Sequence, residues 1–131
     1  VAGHRLGTRE IEEAIQGHPA IAEVAVVGVA DQLKGQMPMA FAVVKSADSV
    51  ATPELAAALE KAVMKQVDDS LGAIARPSRV HFLTVLPKTR SGKLLRRSIQ
   101  ALAEGRDPGD LTTIEDPSAL EQLQRALGTK A

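Results

Sequence analysis

Between residues 21 and 29 the chain reads IAEVAVVGV, a β-branched run that is apolar at nearly every position. A strand wetted on one side alternates apolar with polar residues, so this run predicts a strand covered on both faces. MPMAFAVVK, residues 37–45, predicts a second strand, with Pro38 confining it to its first residues or to a sheet edge. The short polar loop ADQLKGQ between them predicts an antiparallel pair. Upstream, Ile11, Ala14 and Ile15 share a helical face, with Thr8 as N-cap, Glu10 in the first turn, and Gly17 and Pro19 as the stop. Downstream, Thr52-Pro53 predicts a helix start, followed by Leu55, Leu59, Ala62, Val63 and Val67 at helical spacing. In RPSRVHFLTVLP, residues 76–87, Val80, Phe82 and Thr84 alternate with His81, Leu83 and Val85, which predicts a third strand running into the segment beyond. Leu95, Ile99 and Leu102 mark a helix ending near Gly105, GRDPGDL is a turn-rich linker, and Asp116-Pro117 opens a helix with Leu120, Leu123 and Leu127 on its buried side. Together these elements predict a small α+β domain, a roughly three-stranded sheet flanked by helices.

At 131 residues, 44% of them apolar, the chain suits one domain with a modest core. Sixteen basic residues balance sixteen acidic ones, so no bulk positive field favours nucleic acid or an anionic membrane. Two aromatic residues offer no stacking platform for bases, which again argues against a nucleic-acid partner. The longest apolar run, Val24 to Ala30, falls far short of the roughly 20 residues that span a bilayer. The absence of cysteine removes disulfides and thiol chemistry and fits a reducing compartment. The opening VAGHRLGTRE carries neither an initiator Met nor a secretory layout and reads as a cut through a longer protein.

Charge is concentrated locally in LPKTRSGKLLRRS, residues 86–98, which holds five cations and no acid. The Ser91-Gly92 pair relaxes the backbone, so Lys93 is expected to be exposed and mobile where a loop gives way to a helix. A lysine there is a point charge on a long stem, able to follow an anion, and helix-start amides would favour the same anion. A solvated basic turn explains the same residues more plainly. In GHRLGT, residues 3–8, Gly3 permits close backbone approach and Arg5 offers a fork for phosphate or carboxylate; a simple turn before a helix is the alternative. His18 reads as a cap for a helix-end carbonyl and His81 as structural. No carboxylate pair, Ser/His/Asp set, zinc spacing or Walker-type loop occurs, so an autonomous active site is not expected.

LPKTRSGKLLRR resembles the P-K-T-x-S-G-K signature of the adenylate-forming acyl-CoA synthetases, and GHRLGTREIEEAI resembles the segment after their interdomain hinge. Both occur in the family's order and spacing. The tail EGRDPGDLTTIEDPSALEQL is most similar to that of the propionate–CoA ligases, short-chain relatives of the acetate–CoA ligases. The resemblance implies that residues 1–131 are the mobile C-terminal domain of such an enzyme, with 106–131 as a C-terminal extension and the N-terminal adenylation domain missing. The alternatives are the corresponding domain of an acetate–CoA ligase, and a stand-alone anion- or nucleotide-binding module.

The implied reaction is a cytoplasmic two-step ligation in which a short-chain acid and ATP, with Mg2+, form an acyl-adenylate that coenzyme A then converts to a thioester. On this resemblance Lys93 is the catalytic lysine of adenylation, and its acylation by a lysine acyltransferase, reversed by a deacylase, would remove the charge that step needs. Arg5 maps onto a nucleotide-phosphate contact, and Ala2 and Gly3 onto the approach of the coenzyme A thiol. Gln16, His18 and Ile21 map onto a magnesium site formed largely by backbone carbonyls. The chain departs from the acetate–CoA ligase pattern at Ala2, where serine is usual, and at Asp68, aligned with an arginine that contacts coenzyme A. Alone, the domain is expected to be inactive.

Overall fold

The computed structural model describes residues 7–31, 35–72 and 75–128. In chain order the elements are α1 (Thr8–Gln16), β1 (Ile21–Asp31), β2 (Gly35–Val44), a 3-10 turn (Ala47–Val50), α2 (Pro53–Leu71), β3 (Val80–Leu83), α3 (Arg96–Ala103) and α4 (Ser118–Ala126). The sheet runs β1–β2–β3, with β1 and β2 antiparallel and β2 and β3 parallel. Helices cover both faces, which is why IAEVAVVGV does not alternate. Val24, Val26, Ala40, Ala42 and Val80 pack with Ile11 and Ile15 of α1 and Val63 and Val67 of α2. On the other face Ala25, Val27, Phe41, Val43 and Leu83 pack with Ile99 and Leu102 of α3 and Leu123 of α4.

Local chemistry sets the boundaries. Thr52 caps α2 as its composition predicts, its Oγ1 accepting from the Leu55 N–H at 3.1 Å, with Pro53 in the first turn. Thr8 is not the N-cap of α1; it is the first helical residue, and Gly7 is the cap. Glu10 reaches back to the cap, its carboxylate accepting the Gly7 N–H at 3.4 Å, while its own N–H donates to Gly7 O at 3.2 Å. Pro38 lies opposite Gly28, two residues before the pairing of β2 with β3 begins at Ala40. The Ala40 N–H donates toward the β3 side, to Arg79 O, so the donor that Pro38 lacks would have faced the same side before any strand partner starts. β3 is four residues long rather than spanning 76–87. It ends because Gln122 of α4 takes over: its Oε1 accepts the Thr84 N–H and its Nε2 donates to Thr84 Oγ1, both at 2.7 Å.

The two outer strands carry backbone groups that no third strand satisfies, and side chains occupy them instead. Along β1, Gln16 Nε2 donates to Ala22 O at 2.9 Å and Gln100 Nε2 to Gly28 O at 2.7 Å. Between them Glu12 accepts the Val26 N–H, and beyond them Glu104 accepts the Ala30 N–H, each at 2.7 Å. The Ala30 amide and then Arg106 hold the Glu104 carboxyl below the usual carboxylate range. On β3, Glu60 accepts the Val80 N–H at 2.8 Å and pairs with Arg79 at 2.9 Å.

His81 stacks on Phe41 across the β2–β3 pair, ring centroids 5.3 Å apart, and is structural as its strand position implies. Burial, reinforced by Arg79 and opposed by Glu60, lowers its pKa from the ordinary 6.5. The folded chain therefore binds a proton at His81 less readily than the unfolded chain does. The stability associated with neutral His81 is complete above about pH 6.5 and is lost as pH falls below that value toward the depressed folded pKa. Urea denaturation at pH 7.5 and pH 5.5 tests this. The parent loses more stability between the two pH values than His81→Gln does, and equal losses would refute the assignment.

Candidate functional site

Lys93 lies on a hairpin. The Gly92 N–H donates to Thr89 O at 2.8 Å, the Thr89 N–H to Lys93 O at 2.8 Å, and the Leu95 N–H to Pro87 O at 3.0 Å. The Thr89 side chain closes the turn from inside, its Oγ1 accepting the Lys93 N–H at 3.1 Å and lying 3.0 Å from Ser91 Oγ. Gly92 has φ +91°, a left-handed conformation that an L side chain adopts only with strain, and it allows the chain to turn back at this position. The expectation of exposure holds for Lys93, but the Ser-Gly turn is not a slack joint. It is a hydrogen-bonded hairpin whose second arm runs to Leu95, directly before α3 begins.

The basic run is not uniformly free. Lys88 pairs with Glu23 of β1, and Arg96 makes a two-pronged ion pair with Glu12 of α1, Nη2 to Oε1 at 2.8 Å. Glu12 raises the Arg96 pKa further, chiefly through that hydrogen bond. These acids stand 65 and 84 positions from their partners, so no local reading of residues 86–98 could find them. Among the described residues Lys93, Arg90 and Arg97 have no ion-pair partner. The flanking cations fasten the hairpin to the α1–β1 unit and the central lysine is presented to solvent. An exposed ammonium on a fixed base can reach an anion brought from outside and stabilise charge that develops on it.

The other candidate residues fall into three groups. Ala2, Gly3 and Arg5 lie outside the described residues. Gln16, His18 and Ile21 do meet, at the α1–β1 turn, but they satisfy one another. Gln16 Nε2 donates toward Ile21 O at 3.4 Å, and His18 O accepts the Ile21 N–H at 3.1 Å. His18 caps its own turn through Nδ1, which accepts the Ala20 N–H at 3.1 Å, where the sequence predicted capping of a carbonyl. Of the carbonyls that a magnesium would need, that of Ile21 thus faces a side-chain donor and that of His18 a backbone one. Among the described residues no cluster of three His, Asp or Glu stands ready to hold a metal. Asp68 accepts from Arg76 Nε at 3.0 Å, so its charge is balanced beside it.

Two consequences can be measured by denaturation. Gly92→Ala finds open space for its Cβ but must hold φ +91°, and is expected to cost about 1 kcal/mol. Glu12→Ala removes the partner of both Arg96 and the Val26 N–H and is expected to cost about 2 kcal/mol, more than Arg96→Ala, which leaves the second contact intact. The reverse order would show that the edge contact contributes little.

The family model described as the AMP-binding enzyme C-terminal domain matches residues 10–93. The propionate–CoA ligase of Escherichia coli (strain K12) is 60% identical over 127 residues, which cover 97% of this chain and 20% of that protein. The acetyl-coenzyme A synthetase of Pyrobaculum arsenaticum is 48% identical over 126 residues, covering 96% of this chain and 18% of that protein. The crystal structure of Brucella canis acyl-CoA synthetase aligns with a TM-score of 0.60 at 38% identity, over 71% of this chain and 16% of that one. The chain thus spans about a fifth of the length of the curated relatives it matches, 20% of the first.

Proposed function

The chain belongs to the AMP-binding enzyme C-terminal domain family, and we propose that it works as the mobile C-terminal domain of a short-chain acyl-CoA synthetase, in kind a propionate–CoA ligase. The observation that carries the reading is Lys93: exposed, without an acidic partner among the described residues, and presented by a bonded hairpin within KTRSGK. The 60% identity to a propionate–CoA ligase along nearly the whole chain supports the acyl class.

In the first half-reaction a carboxylate oxygen attacks the α-phosphorus of ATP and pyrophosphate leaves. Negative charge gathers on the carboxylate and α-phosphate oxygens, and the Lys93 ammonium stabilises it there. In the second, the coenzyme A sulfur attacks the acyl carbonyl and AMP leaves. The domain rotates between the two so that Lys93 withdraws and the segment containing Ala2, Gly3 and Arg5 approaches, the first two beside pantetheine and Arg5 at nucleotide phosphate. ATP, with its magnesium, is held by the companion adenylation domain of the same protein, and the reaction belongs to the cytoplasm. Reversible acylation of Lys93 by a protein acyltransferase and deacylase would silence adenylation by neutralising the ammonium.

In the full-length protein, Lys93→Ala is expected to lower pyrophosphate exchange by on the order of 10²–10³-fold while leaving thioester formation from preformed acyl-adenylate nearly unchanged. Equal loss of both half-reactions would remove Lys93 from the proposed role. Catalytic efficiency should be greater with propionate than with acetate, and a reversed order would transfer the protein to the acetate–CoA ligases. The isolated 131-residue chain, lacking the companion domain, should show no adenylation at all.

A further inference from the structure

The Lys93 hairpin has a second backbone neighbour that its own sequence does not announce. Residues 113–115 run antiparallel beside its first arm: the Arg90 N–H donates to Thr113 O at 3.2 Å, the Glu115 N–H donates to Lys88 O at 2.8 Å, and Thr89 bridges Ile114. With Lys88 bridged to Leu94 on the other side, the arm carrying Lys88 and Thr89 is the centre of a three-stranded patch.

The segment is anchored at both ends. Before it, Ser98 Oγ of α3 donates to Pro108 O at 2.9 Å, and the Asp110 carboxylate accepts the Thr112 N–H at 3.0 Å. After it, Asp116 Oδ1 accepts the Ser118 N–H at 2.9 Å and leads into α4, whose Ala119 and Leu123 are fully buried. Ile114 itself is 9% exposed, so the segment is seated by a side chain as well as by its backbone. It lies beyond residues 10–93, the stretch that defines the family match.

We infer that residues 113–115 are a positioning strap for Lys93, fixing the hairpin so that the ammonium meets the reacting oxygens in adenylation. The inference rests on the proposed adenylation role of Lys93 and extends it to a segment that touches no reactant. Four backbone hydrogen bonds hold the arm, two on the Leu94 side (Thr89 N–H to Lys93 O and Leu95 N–H to Pro87 O) and two on the Ile114 side (Arg90 N–H to Thr113 O and Glu115 N–H to Lys88 O). Removing the second side frees the hairpin to pivot about its ion-paired base at Lys88 and Arg96. A displacement of about 1 Å at a positioned group costs on the order of 10²-fold in rate, so even partial release should be visible.

The test uses the full-length protein and Glu115→Pro, which deletes the N–H donated to Lys88 O. Pyrophosphate exchange should fall at least about tenfold, thioester formation from preformed acyl-adenylate should stay within about twofold, and amide exchange at Thr89 and Gly92 should accelerate. Ile114→Ala, which retains every backbone bond, gives the same selective loss in weaker form and stands in if the proline variant does not fold. Adenylation within twofold of the parent in the folded variant, or an equal fall in both half-reactions, overturns the strap. Lys93→Ala run alongside separates the two ideas: if it loses adenylation selectively and Glu115→Pro does not, the strap alone fails. If Lys93→Ala shows no selective loss, the underlying reading fails instead.

Discussion

Everything in this domain hangs on how the outer edge of β1 is finished. An edge strand leaves every second residue's N–H and C=O pointing at nothing, and such a row invites pairing with other chains. Here α1 and the α3 end lie along that edge and supply a ladder of side chains: Gln16 to Ala22, Glu12 to Val26, Gln100 to Gly28 and Glu104 to Ala30. The ladder closes the edge and fastens helices from opposite faces of the sheet to one strand. Glu12 is the junction, because the carboxylate that accepts the Val26 N–H also receives Arg96 at the start of α3.

That junction brings α1 and the lysine hairpin into one frame. α1 follows directly on GHRLGT, and α3 follows directly on the lysine hairpin, so the Glu12–Arg96 pair ties one to the other across 84 positions. Lys88 and Glu23 repeat the device one arm earlier. A segment that composition presents as a basic patch is therefore sorted by the fold. Lys88 and Arg96 are consumed in fastening, while Lys93, like Arg90 and Arg97, has no ion-pair partner among the described residues.

Much of this was legible from residues alone, because the signals were local. The unbroken apolar run of β1 announced a strand covered twice, and Thr52-Pro53 announced the start of α2. The motif around Lys93 marked both the residue and its exposure. What escaped depended on partners remote in sequence. Nothing in RPSRVHFLTVLP shows that Gln122 will end β3 at Leu83, and nothing in KTRSGK shows that Glu12, Glu23 and Ile114 will hold it. Gly7 rather than Thr8 is the cap of α1, a choice between two adequate arrangements that spacing does not decide. Turn chemistry misled at Ser91-Gly92, since a glycine that confers freedom on an unfolded chain is the same residue that permits one tight bonded turn.

The order of the strands in the three-stranded patch has a bearing on how the protein is made. Synthesis runs from the N-terminus, and the hairpin arm at Lys88–Thr89 acquires its Leu94 neighbour almost at once but its Ile114 neighbour some twenty residues later, with Leu123 of α4 sealing the core later still. A nascent chain halted between those points already displays the lysine, complete with its Ser-Gly turn, yet lacks one wall of its seat. The stretch that carries Ile114 is thus made after the hairpin whose seat it completes.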